Sequence, residues 1–290
     1  MSIAHLYMNL ERVASRVIDW ALHTEGSSRT SALIRIGIPL IIWARLANDL
    51  AFFNEPSLAR ILFEANFFAA TTLMLLGYYS RTACTWAALN MLAIYYYGGY
   101  VLGIEPWTHH HISLLAMATA LSALTPCGKS YSLDRYFAVR KAQHLGHTIP
   151  AESGNLWGLR LMSLQLSIMY LGTAFDKTSW AFLGGDRLEA LFMYYYSGST
   201  YPDMIGFHAL MIVLSILTVA LDYILAFGLI FEATRKWLII PGLIFHGILY
   251  LFLPVFTFTV TVWLLYLAYL NADKVHAFID TMHGYKKDGA

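Results

Sequence analysis

The stretch LDYILAFGLIFEATRKWLIIPGLIFHGILYLF, residues 221–252, holds two apolar runs separated by a polar turn from Glu232 to Lys236. Each run carries one ionisable side chain, Asp222 in the first and His246 in the second. Extended upstream to residue 205, the first run approaches the ~20 apolar residues that a helix needs to cross the core of a bilayer. The pair is predicted to be two consecutive membrane helices joined by a short charged turn.

Composition carries that reading to the rest of the chain. It is 58% hydrophobic and 15% aromatic with 13% charged residues, and its mean hydropathy is +0.54. A soluble chain carries roughly a quarter of its residues charged, so lipid is expected to replace water around most of this one. The net charge of +1 supplies no basic field for nucleic acid and no acidic tail for cationic partners. Cys84 and Cys127 are too few for a disulfide framework or a closed thiolate metal site, and whether they pair is left open by the sequence.

Eight segments are predicted to span the membrane: 31–53, 59–79, 82–104, 109–126, 157–178, 205–231, 237–252 and 254–271. Pro254 divides the last apolar stretch, which is too long for one crossing. The expected fold is an all-α polytopic membrane helix bundle, with the transmembrane domain at residues 31–271. In residues 1–30, Leu6, Leu10, Val13, Val17 and Trp20 recur at helical spacing and predict an amphipathic interfacial helix. Glu11, Arg12, Arg16 and Asp19 among them do not fit a cleavable signal. Residues 272–290 read as a short cytoplasmic tail.

Placing the N-terminus inside leaves only Arg60, Lys177 and Arg187 on the outer side, with Arg81, Lys129, Arg135, Arg140, Arg235 and Lys236 among the cations inside. Cytoplasmic loops carry the lysine and arginine excess, so both termini are expected in the cytoplasm. His109, His110 and His111 then open the fourth span at the outer edge, and Lys177 closes the fifth on the same face.

Ionisable residues inside apolar segments are costly unless paired or facing a cavity; here they are Arg35, Arg45, Asp49, Glu64, Arg160, Asp222 and His246. Arg45 and Asp49 stand four apart and are expected to pair on one helix face. Arg35 and Arg160 lie near span ends, from which a long side chain snorkels to the headgroups. Glu64 and Asp222 lack an obvious partner in sequence and are suited to hold a cation from another helix.

The three histidines do not make a metal motif, because neighbours on a helix point about 100° apart and no HExxH is present. A polar interface explains them blandly; His111 is also suited to donate a hydrogen bond or carry a proton. Lys177, in YLGTAFDKTSW at residues 170–180, is either an interfacial snorkelling lysine or, turned inward and desolvated, a general base.

Three ordered motifs resemble those of the vitamin K-dependent gamma-carboxylase-like group, also called the horizontally transferred transmembrane domain family. HHHISLLAMATALSALTPCGKSYSLDRYF is similar to its helix that begins in histidine and ends in an S-x-D turn, here Ser132, Leu133 and Asp134. LRLMSLQLSIMYLGTAFDKTSWAFLGG is similar to its R-x-x-x-x-Q-x-x-x-x-Y helix leading to a lysine, a tryptophan and a glycine, here Arg160, Gln165, Tyr170, Lys177, Trp180 and Gly184. The opening stretch is similar to its acidic helix and membrane histidine, here Asp222, Glu232 and His246.

The resemblance implies that Lys177 is the base that deprotonates reduced vitamin K (phylloquinol or menaquinol), with oxygen and carbon dioxide as co-substrates. It also implies that His111 serves the quinol or its oxygenated form, that His246 belongs to the same pocket, and that His110, Arg160, Tyr170 and Trp180 bind the cofactor. The substrate it implies is a peptide or protein glutamate. Animal carboxylases continue into a lumenal domain and have another lysine where Asp176 stands; short bacterial members of similar length are linked to maturation of secreted peptide toxins. That comparison implies a bacterial inner membrane, with the active site toward the outer leaflet.

Two functions from different classes follow: a quinol- and oxygen-using gamma-carboxylase-like enzyme with epoxidase activity, or a non-catalytic membrane maturation or export factor for a secreted peptide. A transporter would show an inverted repeat and a channel a filter motif; neither signature is seen in the sequence.

Overall fold

The computed structural model describes residues 11, 12, 14, 15, 18, 19, 23–51, 57–200, 203–253 and 255–284. In chain order the elements are β1 (Glu25–Ser27), α1 (Arg29–Ala51), α2 (Leu58–Leu76), α3 (Ser80–Leu92), a π-helical segment (Ala93–Val101), α4 (His110–Ser122), α5 (Leu133–His144), β2 (Ser153–Asn155), α6 (Trp157–Lys177), α7 (Trp180–Leu183), α8 (Asp186–Tyr195), α9 (Phe207–Gly228), α10 (Glu232–Phe252), α11 (Phe256–Leu265), a 3-10 turn (Tyr266–Tyr269) and α12 (Ala272–Met282). The chain is mostly helical. A single short ribbon departs from the all-α expectation: β1 pairs antiparallel with β2, Gly26 opposite Gly154. Strand pairing here depends on residues more than a hundred positions apart, which no local pattern announces.

Among the described residues, four helices, α1, α2, α9 and α10, are long and apolar enough to cross a membrane. The other expected spans are helical in a different way. The third is α3 running into the π-helical segment, α4 has 13 residues, α6 is long enough but more polar, and α11 has 10. Thirteen residues of α-helix reach only about 20 Å, less than the ~30 Å of a hydrocarbon core. The break between α10 and α11 falls where Pro254 was expected to divide the stretch, and Pro254 lies outside the described residues. So do Leu6, Leu10, Val13, Val17 and Trp20, the stripe of the expected amphipathic helix. Leu210, Val213, Ile216, Leu217, Ile224 and Phe227 of α9 are exposed, as are Trp237, Ile240, Ile244 and Leu251 of α10. Contiguous apolar exposure of that kind suits lipid and not water.

The chain divides into two compact units, Met1–Met162 with Val260–Ala290, and Ser163–Thr259. In the first, α1 to α4 pack on one another around Ile34, Ile38, Ile42, Leu46, Phe67, Met74, Met91, Ile112 and Leu115, all fully buried. In the second, α9 packs against α7, α8 and α10.

One end of the first unit is tied together by Arg35. Snorkelling was the expectation, yet Arg35 is fully buried. Its guanidinium donates to the carbonyls of Met74 (2.6 Å), Leu75 (2.7 Å), Cys127 (3.2 Å) and Tyr131 (2.5 Å). The first two belong to the last turn of α2, whose carbonyls have no partner within the helix. Gly77 makes this close approach possible. It closes α2 in the left-handed region, at φ 65°, and a Cβ there would lie 2.6 Å from Arg35 Nη1. The S-x-D turn completes the knot: Ser132 caps α5 by accepting from Arg135 N–H, and the Asp134 carboxylate accepts from the N–H groups of Tyr79 and Ser80 at the start of α3. Cys84 and Cys127 are buried free thiols with Sγ atoms 4.0 Å apart.

Residues 272–282, read from sequence as part of a tail, form α12. Asn271 caps this helix, Asp273 accepts from the N–H of Ser27 at 2.9 Å, and Asp280 and Glu152 both receive Arg29, at 2.5 and 2.8 Å.

Candidate functional site

In the second unit, Lys177 is the last residue of α6. Its Nζ donates to Asp222 Oδ2 at 2.8 Å; the lysine side chain is 27% exposed and the aspartate 2%. Asp222 lies on the inward stripe of α9 with Met211, Ser215, Val219, Leu225 and Ala226, a helical repeat that delivers one carboxylate into a mostly apolar face. Of the two acidic residues without a local partner, Asp222 thus takes a cation from another helix, 45 positions away. Glu64 takes Arg60 one turn before it, at 2.6 Å, an i,i+4 partner that the expectation of a cation from another helix passed over.

About two turns before Lys177 on α6, the Tyr170 hydroxyl lies 2.7 Å from His246 Nε2 on α10. Both residues are 1% exposed. The other ring nitrogen, His246 Nδ1, is buried with no partner among the described residues. A buried imidazole with one nitrogen engaged and one open has a hydrogen-bonding capacity still to be filled.

The same unit contains an apolar cavity of about 670 Å³ formed by α8, α9 and α10, with Phe192, Phe207, Leu214, Leu221, Phe245 and Phe252 among its walls. Leu221 and Phe245 are the sequence neighbours of Asp222 and His246. The cavity is within the range of small-molecule sites, which are mostly apolar with a few placed polar groups.

His111 belongs to the first unit. The rotation of successive residues around α4 gives the three histidines separate surroundings. His109 contacts Glu105 at 3.0 Å, His110 is exposed, and His111 Nε2 accepts from Arg45 Nε at 3.3 Å. Arg45 makes the expected ion pair with Asp49, at 2.8 Å. Its second partner, 66 residues away, could not be read from spacing. Arg160, half-buried, also falls in the first unit. Trp180, on α7 in the second, is 90% exposed. No group of three histidine, cysteine or carboxylate side chains placed to hold a metal occurs among the described residues.

A family model described as the HTTM domain matches residues 45–273, and the chain belongs to that family. No curated protein and no solved structure matches it. Family and apolar helices together define a membrane protein.

Proposed function

We propose that this protein is a membrane enzyme of the vitamin K-dependent gamma-carboxylase type, using a reduced quinone, oxygen and carbon dioxide on a glutamate side chain of a peptide substrate. HTTM domains are found in vitamin K-dependent carboxylase-related proteins. The observation that carries the reading is the Lys177–Asp222 pair, in the same unit as an orphaned buried nitrogen of His246 and an apolar cavity. A quinone of the vitamin K type has two ring oxygens and a hydrocarbon tail, so it requires dry hydrogen-bonding partners and apolar volume. The second unit supplies both.

When bound, the reduced quinone supplies, together with oxygen, the strong base that takes a proton from the glutamate γ-carbon, where carbon dioxide then adds. With the proton they share resting on the Asp222 carboxyl, the neutral amine of Lys177 would accept the quinol proton, and the pair would then become ammonium and carboxylate. Tyr170 fixes the ring of His246, leaving Nδ1 free to bond the quinone. The cavity walls would hold the hydrocarbon tail. Roles for His110, His111, Arg160 and Trp180 about the cofactor rest on the family resemblance alone. The same proposal includes the eight-span topology with an N-terminal amphipathic helix, both termini in the cytoplasm of a bacterial inner membrane and the site toward the outer leaflet. Labelling of single cysteines from either side of the membrane tests it.

The test of activity is epoxide formation by purified protein in nanodiscs supplied with phylloquinol or menaquinol, oxygen and bicarbonate. Wild type is compared with Lys177→Met/Asp222→Asn, which removes the base without stranding a buried charge. Loss of epoxide in a folded variant is expected. Unchanged turnover removes Lys177 as the base. No epoxide from folded wild type with either quinol favours the non-catalytic maturation factor.

A further inference from the structure

Arg45 lies at the centre of a chain of contacts confined to the first unit. The π-helical segment Ala93–Val101 brings Gly98 and Gly99 inward, both buried. The indole of Trp107 packs directly on Gly98: a Cβ there would lie 2.4 Å from the ring. Seated on that floor, Trp107 Nε1 points its hydrogen to Asp49 Oδ2 at 3.5 Å. Asp49 Oδ2 holds Arg45 Nη1 at 2.8 Å, and the carbonyl of Pro106 accepts from Nη2 at 3.4 Å. The guanidinium is planar, so fixing its two ends fixes its third edge. That edge is Nε–H, and it faces His111 Nε2 at 3.3 Å. Short π-helical turns recur at functional sites, where they re-aim side chains; this one sets the floor of the chain that ends on His111.

The chemistry of the pair admits one protonation pattern. A guanidinium stays protonated in proteins and has no acceptor. The imidazole nitrogen facing it must therefore carry a lone pair. A neutral imidazole has one donor and one acceptor nitrogen, so the proton of His111 is on Nδ1. A second proton on Nε2 would set an imidazolium against a guanidinium with N–H facing N–H, a close-range repulsion between two half-buried side chains.

We propose that Arg45 is a positioning residue that holds His111 as the neutral imidazole protonated at Nδ1, so that His111 acts as a hydrogen-bond donor to an anionic oxygen and not as a base. A neutral imidazole held in this way can polarise an oxygen without surrendering a proton to it. Only the identity of that oxygen rests on the function proposed above. Neighbouring histidines do not compete for the role, since His109 is engaged by Glu105 and His110 is exposed.

The tautomer is measurable without turnover. The probe is nitrogen-15 solid-state NMR of histidine-labelled protein in lipid bilayers at neutral pH, with the His111 signals assigned by their loss in His111→Gln. Nδ1 in the protonated range and Nε2 in the unprotonated range are expected for wild type. In Arg45→Met the proton is expected to redistribute to Nε2, shifting both signals while the thermal unfolding transition is retained. Wild-type His111 protonated at Nε2 overturns the proposal. So does an Arg45→Met spectrum identical to wild type. Should Arg45→Met fail to fold, the wild-type spectrum still decides the tautomer, and Arg45→Lys, which keeps the charge and loses the Nε–H donor, takes its place with the same two outcomes. Because no quinol is added, a failure of the epoxide assay leaves this result unaffected.

Discussion

Lys177 and Asp222 meet at 2.8 Å with unequal burial, the lysine side chain 27% exposed and the aspartate 2%. The cost of breaking the pair is therefore unequal as well. Removing the lysine leaves a carboxylate enclosed and alone, for which about 3 kcal/mol is expected. Removing the aspartate leaves an ammonium that can still reach polar surroundings. Lys177→Met is thus expected to unfold at markedly lower temperature than Asp222→Asn, and the double variant to recover much of the loss. Thermal unfolding in detergent checks the order; equal losses in the two single variants would show that the pair does not strand a charge.

Tyr170→Phe takes away the one hydroxyl that His246 engages. Both ring nitrogens of a buried imidazole are then without a partner, at a cost of about 1–3 kcal/mol. Epoxide formation is expected to fall along with stability. A variant as stable as wild type would mean that water or a rotated ring replaces the hydroxyl.

Arg35 serves four carbonyls from two separate chain segments. Lysine has a single nitrogen and cannot span them. Arg35→Lys is expected to cost about 3 kcal/mol or more, since each hydrogen bond to a charged group contributes about 1.5–3 kcal/mol. Denaturation of the purified variant reads this directly, and a loss below 1 kcal/mol, flagged by an unchanged midpoint, would mean the carbonyls find other donors.

Gly98→Ala drives a methyl into the Trp107 ring, 2.4 Å from its nearest atom. Trp107 must then leave Asp49, and the Arg45 contact to His111 is expected to loosen. Quenching of tryptophan fluorescence by a membrane-restricted quencher, compared between wild type and variant, reports the displacement; Trp107→Phe supplies the background.

Hydrogen bonding from Arg29 holds the Asp280 carboxyl below its ordinary value. A group whose value is lowered on folding stabilises the fold fully above its ordinary value, about 4 for an aspartate, and that contribution is lost as pH falls through the lowered one. Amide protection in α12, taken relative to the intrinsic exchange rate at each pH, is expected to fall over that acid window in wild type and to be low and less pH-dependent in Asp280→Asn. Identical acid profiles would show that the ion pair does not anchor the helix.

Much of the architecture was legible in the runs themselves. The charged turn from Glu232 to Lys236 marked the boundary between α9 and α10, and the limits of α6 at Trp157 and Lys177 lie within one residue of those read from hydropathy. Segment lengths were less legible. Apolarity reports what an element is buried in, whereas the shortness of α4 and the π-helical continuation of α3 depend on local backbone geometry that hydropathy does not record.

By itself the sequence determined the family, a helical fold of apolar segments and the short set of costly polar residues within them, because a charge in an apolar run is conspicuous wherever it is placed. Only the tertiary structure decided their partners. Asp222 takes Lys177 from 45 residues away, Arg45 serves Asp49 and His111 together, and Arg35 turns inward to carbonyls and not outward to headgroups. Pairing is a property of distance in space, and helices of similar apolarity give no sequence signal of which faces which. The S-x-D turn shows the same limit, because Ser132 caps its own helix and is readable locally, whereas Asp134 caps a helix that begins 54 positions earlier.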